Sequence, residues 1–452
     1  MARRCAVEQR STSRAPAPCF SSTSDQWAYG TELETRKTDR RLRMSTRLTG
    51  WNRRWWIALA MAALAVVACG GGGGAGTGST KDVKIALVVP LSGPYAEHGK
   101  LMQDAAELAR DDINSQGGIK ALNGSKVQLV IQDAGGTVES VTSATQRVLQ
   151  GGDITAADGC WLSSFTLAAT EIAERQKVPW LTFSFADQIT GRGYKHVFRL
   201  DAPAAKQIPA ALDALTVAAK ASNHTITTAA LAGDNTASSV SYFENLRQKL
   251  PGAGVKIVLD KVWTPPLADP TQLALQVKNA NPDIIFGSPT TFADTVGLQR
   301  ALYSVGERKP VMGNGGQFLT PEVGKSLGNA TEGLAAVAGS AVMKGMENLS
   351  KRFEDRFHTF MIQDSSSVYA EIWTIKEAIE KAKSSDPTKV RDALASIDIT
   401  SGPAAQIPGG EVKFDANGDN VRASVAIVQW QNGRPVTVAP VNQAIGHLKW
   451  PS

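Results

Sequence analysis

From Val83 the chain repeats one rhythm, in which a short apolar run is followed by a turn and then by a longer amphipathic stretch. The first copy is Val83 to Gly118, VKIALVVPLSGPYAEHGKLMQDAAELARDDINSQGG. An apolar run without alternation, Val83 to Leu91, predicts a strand buried on both faces. Ser92, Gly93 and Pro94 turn the chain. Leu101, Ala105, Leu108, Ala109 and Ile113 then recur at helical spacing, while Glu107, Arg110 and Asp111 fall elsewhere, which predicts an amphipathic helix. Gly117 and Gly118 end it, since glycine adopts left-handed backbone at little cost. A strand, a tight turn and a helix N-terminus together aim backbone N–H groups at whatever lies above the turn.

The rhythm continues. Strands are predicted at 126–133, 154–159, 178–183 and 197–200, with helices at 138–150 and 166–176 between them. After Pro203 it restarts, with helices at 204–221, 238–250, 271–279 and 292–305 and strands at 225–231, 255–262, 283–287 and 310–313. Gly333 to Val342 reads as one more strand. Helices at 349–360, 368–382 and 387–397 follow, and strands at 411–414, 424–430 and 435–438 close the chain, with Asn432-Gly433 as a hairpin turn. Repeated βα units of this length require an α/β fold with parallel sheets covered by helices on both faces.

The front of the chain is processing sequence. Trp55 to Ala68 is an apolar run behind Arg47, Arg53 and Arg54. It is shorter than the ~20 residues a bilayer span needs and has the flanks of a signal-peptide core. Val66-Val67-Ala68-Cys69 resembles a bacterial lipobox, which makes Cys69 the lipid anchor, against the alternative of an ordinary signal peptide with a chance cysteine. The Gly-rich stretch 69–81 is a tether with no capacity to bury surface. Since a signal sequence starts a chain, 44–68 is expected to be the signal peptide from Met44. Residues 1–43 are then an over-extended reading frame or a genuine disordered extension. The formal charge of +6 comes from these segments: 1–43 carries +4 and 44–68 carries +3, which leaves −1 for the remainder. The basic balance therefore gives no reason to expect nucleic acid or acidic partners. Of four cysteines only Cys160 lies in the body of the chain. It is expected to be a buried free thiol rather than a nucleophile.

The order of elements, with PLSGPYAEHGK, AAELARDDINSQGGI, SSFTLAA, KVPWLTFSFADQITGRGYKHVFRL, NPDIIFGSP and EVKFDANGD, resembles the type I periplasmic binding proteins of the branched-chain amino acid class. The likeness runs from about Val83 to Val438. It implies two Rossmann-like lobes joined by a three-strand hinge, with lobe 1 at 82–203 plus 333–412 and lobe 2 at 204–332 plus 413–445. It also implies a monomeric, lipid-anchored, extracytoplasmic receptor. Such a receptor closes on a small-molecule ligand and docks on an ABC permease with its ATPases. No cofactor, metal or catalysis is expected.

Ligands of open α/β sheets bind beyond the carboxyl ends of the strands. Those ends carry Tyr95; Trp161, Ser163 and Ser164; Ser184, Phe185 and Ala186; and, in the second lobe, Asp234 to Ser238 including Ala237, Ser288 to Thr291 including Thr290, and Asn314. Ser163 and Ser164 either cap a helix or hold a carboxylate, and the resemblance implies the carboxylate. Three departures stand out. Ala186 replaces a threonine, Ala237 or Ser238 replaces a tyrosine, and Gly313-Asn314-Gly315-Gly316 replaces an acid that would hold an ammonium. Burying an ammonium unpaired costs several kcal/mol. The expected ligand is therefore a monocarboxylate or aromatic acid walled by Trp161, Phe185 and Tyr95. The alternative is a branched-chain amino acid held by a relocated acid such as Asp187, Asp234 or Asp294. Rival classes are a sensing domain without transport and an α/β hydrolase. The five histidines show no metal spacing, and no G-x-S-x-G or H-E-x-x-H motif occurs.

Overall fold

The structure is a computed structural model that describes residues 81–450. The readings of residues 1–80, namely the extension, the signal peptide, the Cys69 anchor and most of the tether, lie outside the described residues.

The first sheet forms from β1 (Val83–Val89), β2 (Val127–Asp133), β3 (Ile154–Gly159), β4 (Trp180–Thr182) and β5 (Val197–Arg199) in the order β2-β1-β3-β4-β5. Its pairs are all parallel. Central β1 and β3 are buried along their lengths, as unalternating apolar runs require, whereas edge strand β2 is half-exposed beyond Val127. Helices α1 (Ala96–Ser115), α2 (Val138–Gln150), α3 (Ser163–Gln176) and the short α4 (Gln188–Gly191) connect these strands.

The chain then crosses through Leu200–Pro203 into α5 (Ala204–Ala221), β6 (Thr228–Asp234), α6 (Ala237–Lys249), β7 (Lys256–Trp263), α7 (Pro270–Ala280), β8 (Ile284–Ser288), α8 (Phe292–Ser304), β9 (Val311–Asn314), α9 (Pro321–Leu327) and β10 (Ala335–Ala338). It crosses back into α10 (Glu347–Phe357), α11 (Gln363–Ala382) and α12 (Pro387–Ala395), and crosses again to reach β11 (Ala426–Gln431) and β12 (Arg434–Ala439). The second sheet has the order β12-β11-β10-β9-β8-β6-β7. It is parallel from β7 to β10, and β11 and β12 join antiparallel. Asn432 and Gly433 both take positive φ in the β11–β12 turn, 55° and 75°.

Two expectations need correction. Ala335–Ala338 pairs with β9 and β11, so this strand belongs to the second sheet and not to lobe 1. Its small apolar residues predict burial on both faces but carry no information about which sheet supplies the partners. Residues 411–414 form only isolated bridges, Ile399 with Val412 and Phe414 with Asn420. The chain here runs beside β5, with Asp419 bridging Arg199, before it returns to the second sheet.

The guanidinium of Arg199, 1% exposed, ties this junction together. Its Nε donates to Asp419 Oδ1 at 2.8 Å, and its other nitrogens donate to Thr190 Oγ1 at 2.7 Å and to the carbonyls of Phe185 and Ala186 at 3.2 and 2.7 Å. A planar fork of donors suits two carbonyls, a hydroxyl and a carboxylate at once. It fixes the loop that carries Phe185.

Candidate functional site

A cavity of about 20 Å³ lies where the carboxyl ends of the two sheets meet. The first lobe lines it with Trp161, Leu162, Ser163, Phe183, Ser184 and Phe185, and with Gln363 at the start of α11. The second lobe lines it with Ser238, Thr290, Asn314 and Gln317. A volume that small holds about one water, so the lobes must part to admit a larger molecule. Contacts across the cleft hold them together: Glu97 Oε1 accepts from the Glu322 amide at 3.0 Å, and Asn245 Nδ2 donates to Asp187 Oδ2 at 2.9 Å.

Gly159 lets β3 turn into the site. Its φ is +120°, and a Cβ there would stand 2.1 Å from the Val88 carbonyl. After the turn, α3 begins at Ser163 with extended Leu162 as its N-cap. The amides of Ser163 and Ser164, in the helix's first turn, have no intrahelical partner. Neither serine caps the helix through its side chain. Ser163 Oγ accepts from the Ala186 amide at 3.2 Å, which leaves its own proton available. The Ser184 hydroxyl is committed: it donates to the carbonyls of Cys160 and Trp161 and meets Thr166 Oγ1 at 2.7 Å. The Cys160 thiol is buried, and burial pushes it far from the thiolate form.

Trp161 is backed by His98, whose ring stacks on it at 3.8 Å and 13°. His98 Nδ1 meets Asp364 Oδ2 at 2.6 Å, and Asp364 Oδ1 has no hydrogen-bond partner. A Cβ on Gly316 would approach that Oδ1 to 2.6 Å, so the Asp364 carboxylate fills the space behind the Gly315–Gly316 turn. Gly315, at φ +85°, faces the Phe185 ring, which a Cβ there would meet at 2.8 Å. An acidic side chain at 315 or 316 does not fit this packing.

The expected residues therefore separate. Trp161, Ser163, Ser184, Phe185, Thr290 and Asn314 come together at the cavity. Tyr95, Ser164, Ala186 and Ala237 stand outside its lining. Tyr95 packs on Trp161 at 5.5 Å, and its phenol is pushed up by burial and then by the charge of Asp234 across the cleft. Ala186 forms an apolar cluster with Ile189 and Val197, against which Ala237 packs, because methyl side chains at both places leave nothing polar to reach the cavity. Ser238, beside Ala237, lines it instead.

The three acids considered as ammonium holders are occupied. Asp234 accepts from the amides and hydroxyls of both Thr236 and Thr290, which spends the Thr290 hydroxyl as well. Asp187 receives Ala205 N and Asn245 Nδ2, and Asp294 receives Leu267 N and Trp263 Nε1. Gln317 and Gln363 were not anticipated. Gln363 falls between the helices expected at 349–360 and 368–382, although Ser365 Oγ accepting from the Ile362 amide at 2.9 Å is a helix-start signal.

A sequence model described as periplasmic binding protein matches residues 82–435. The chain belongs to that family. Periplasmic binding proteins are solute-binding receptors that act outside the cytoplasm. A Leu/Ile/Val-binding protein homolog from Brucella suis is 27% identical over 387 residues, covering 82% of this chain and 95% of that one. A leucine binding protein from Thermotoga maritima shares the fold at TM-score 0.68 and 21% identity, covering 79% and 98% of the two chains. A solute binding protein from R. palustris in complex with benzoate does so at TM-score 0.67 and 18% identity, covering 82% and 97%. At such near-equal scores shape does not separate an amino-acid receptor from an aromatic-acid receptor, so the choice falls to the chemistry of the cavity.

Proposed function

We propose that this periplasmic binding protein captures a small carboxylate that lacks an ammonium group, and delivers it to an ABC importer. The observation that carries the reading is the pairing of an open helix start with an uncharged wall. The amides of Ser163 and Ser164 and the free proton of Ser163 Oγ offer donors to a carboxylate at the positive end of α3. Among the described residues, no Asp, Glu, Lys or Arg lines the cavity to receive an ammonium. Trp161 and Phe185 suit a flat or branched apolar body. Transport is supported by the R. palustris protein, which is a solute binding protein of an ABC transporter and holds benzoate. The protein acts as a monomer anchored on the extracytoplasmic side of a bacterial membrane, in the periplasm or at the cell surface, through lipid on Cys69, a reading supported by the lipobox-like Val66–Cys69 and the Gly-rich tether behind it. It binds and releases without catalysis.

A thermal-shift screen of the purified protein against amino acids, aromatic acids, short-chain carboxylates and amides tests this. A ligand at 100 times its dissociation constant stabilises by about 2.7 kcal/mol. Shifts confined to carboxylates without an ammonium support the reading. A shift from leucine, isoleucine or valine of equal size overturns it.

A further inference from the structure

We infer that Asn314 makes the receptor select carboxylates bearing a neutral hydrogen-bond donor, a hydroxyl or an amide N–H, on the side that meets the second lobe. The inference rests on the reading that the ligand's carboxylate sits at Ser163 and Ser164.

Asn314 ends β9 and lines the cavity, 1% exposed. Its neighbours determine which way its amide points. Ser239 Oγ donates to the Ser288 carbonyl at 2.6 Å, which spends the Ser239 proton. The contact between Ser239 Oγ and Ser288 Oγ, 2.8 Å, must then use the proton of Ser288. Ser288 Oγ is left as an acceptor, and Asn314 Nδ2 donates to it at 3.1 Å. Turning the amide over would set an oxygen against an oxygen with no proton between them. Asn314 Oδ1 is therefore the atom left over, and it is buried without a partner. A buried acceptor without a donor destabilises, and a ligand that supplies the donor relieves it.

An ammonium is a poor donor for this place. The amide oxygen is neutral, Asp234 at the end of β6, with β8 between it and β9, already accepts four hydrogen bonds, and Asp364 stands behind Gly316 with one oxygen on His98. A hydroxyl brings a proton without a charge. A site built to bond a hydroxyl discriminates strongly against the analogue that lacks it.

The test is calorimetry on the purified full chain with matched sets: 2-hydroxy-4-methylpentanoate, 4-methylpentanoate and leucine, and 4-hydroxybenzoate, benzoate and 4-(aminomethyl)benzoate. In at least one set the hydroxyl member should bind tenfold or more tighter than the unsubstituted acid, with the ammonium member weakest. Asn314→Asp should reverse that order and raise the ammonium member tenfold or more. Asn314→Leu should bring the hydroxyl and unsubstituted members to equal affinity, with a melting curve confirming that the variant is folded. Equal binding of hydroxyl and unsubstituted acids by the wild type overturns the inference and leaves the carboxylate reading standing. Tightest binding of leucine, lost in Asp364→Asn, overturns it and assigns the ammonium to Asp364. Binding of the corresponding carboxamides as tightly as the acids overturns the carboxylate reading itself, and the inference with it.

Discussion

Asp158 on β3 and Glu371 on α11 interact inside the first lobe, fully buried, and their carboxyl oxygens lack hydrogen-bond partners. Burial pushes Asp158 up to about 7, and burial and then the Asp158 charge hold Glu371 well above the carboxylate range. Asp201, at the first crossover, is pushed by burial to about 7 despite the Ser367 hydroxyl that donates to it. Two carboxyls in contact away from water cannot both ionise cheaply. The sign follows from their raised folded pKa values. The folded form holds protons that the unfolded chain gives up near pH 4, so this stability is complete below about pH 4 and is lost as the pH rises through 7. Asp158→Asn removes the group, so the variant's stability relative to wild type should improve by on the order of 3 kcal/mol between pH 5 and pH 8. Chemical denaturation at both pH values checks this. A difference between the two proteins that stays constant with pH contradicts it.

At the scale of elements, the proposed carboxylate site rests on the start of α3, which can be altered without breaking the helix. Ser163 is the first helical residue and follows Leu162 at φ −76°, ψ 131°, the backbone a proline needs before it. Ser163→Pro therefore removes one amide donor and one hydroxyl while keeping the helix. Carboxylate affinity should fall tenfold or more, with a stability cost of about 1 kcal/mol from the lost bond to the Ala186 amide. Titration and melting of the same sample separate the two effects. Loss of folding or unchanged affinity would both count against the assigned role of this helix start.

The elements themselves were legible because their apolar spacing is local. Predicted helix 204–221 has the observed bounds, and the βα rhythm fixes the parallel sheets. What failed depended on partners far along the chain. β10 could not be assigned to a sheet from four small residues, and 411–414 alternates like a strand but finds no ladder. α11 starts at Gln363 rather than Val368, because Ser365, Ser366 and Ser367 look like loop until their hydroxyls find the carbonyls of Ile362 and Gln363 and the Asp201 carboxyl. The cavity shows the same division. Trp161, Ser163 and Asn314 follow strands and were visible, whereas Gln317 and Gln363 arrive through tertiary placement.

At the scale of the whole molecule, a few polar bridges span the cleft, and closing of the lobes on a ligand is the motion the proposed function requires. Glu97, which burial pushes up, accepts from the Glu322 amide, and Asn245 reaches Asp187. Each bond is worth about 1 kcal/mol net. Glu97→Ala with Asn245→Ala should therefore favour the open form without unfolding either lobe and weaken ligand binding about tenfold or more. Small-angle scattering should give the double variant a larger radius of gyration than wild type, and saturating ligand should bring the two together. Identical profiles without ligand would mean that these bridges do not set the closure.

The three crossings between sheets also set an order in time. All five strands of the first sheet are made by Arg199, yet α11, which packs on α1 and β3, starts only at Gln363, and the second sheet waits for β11 at Ala426. A chain emerging from its N-terminus has neither lobe complete until nearly all of it is available. Contacts separated by more than 250 residues, such as His98 with Asp364, must await the last quarter of the sequence. The threading that joins the lobes three times therefore defers the completion of both until nearly the whole chain is available.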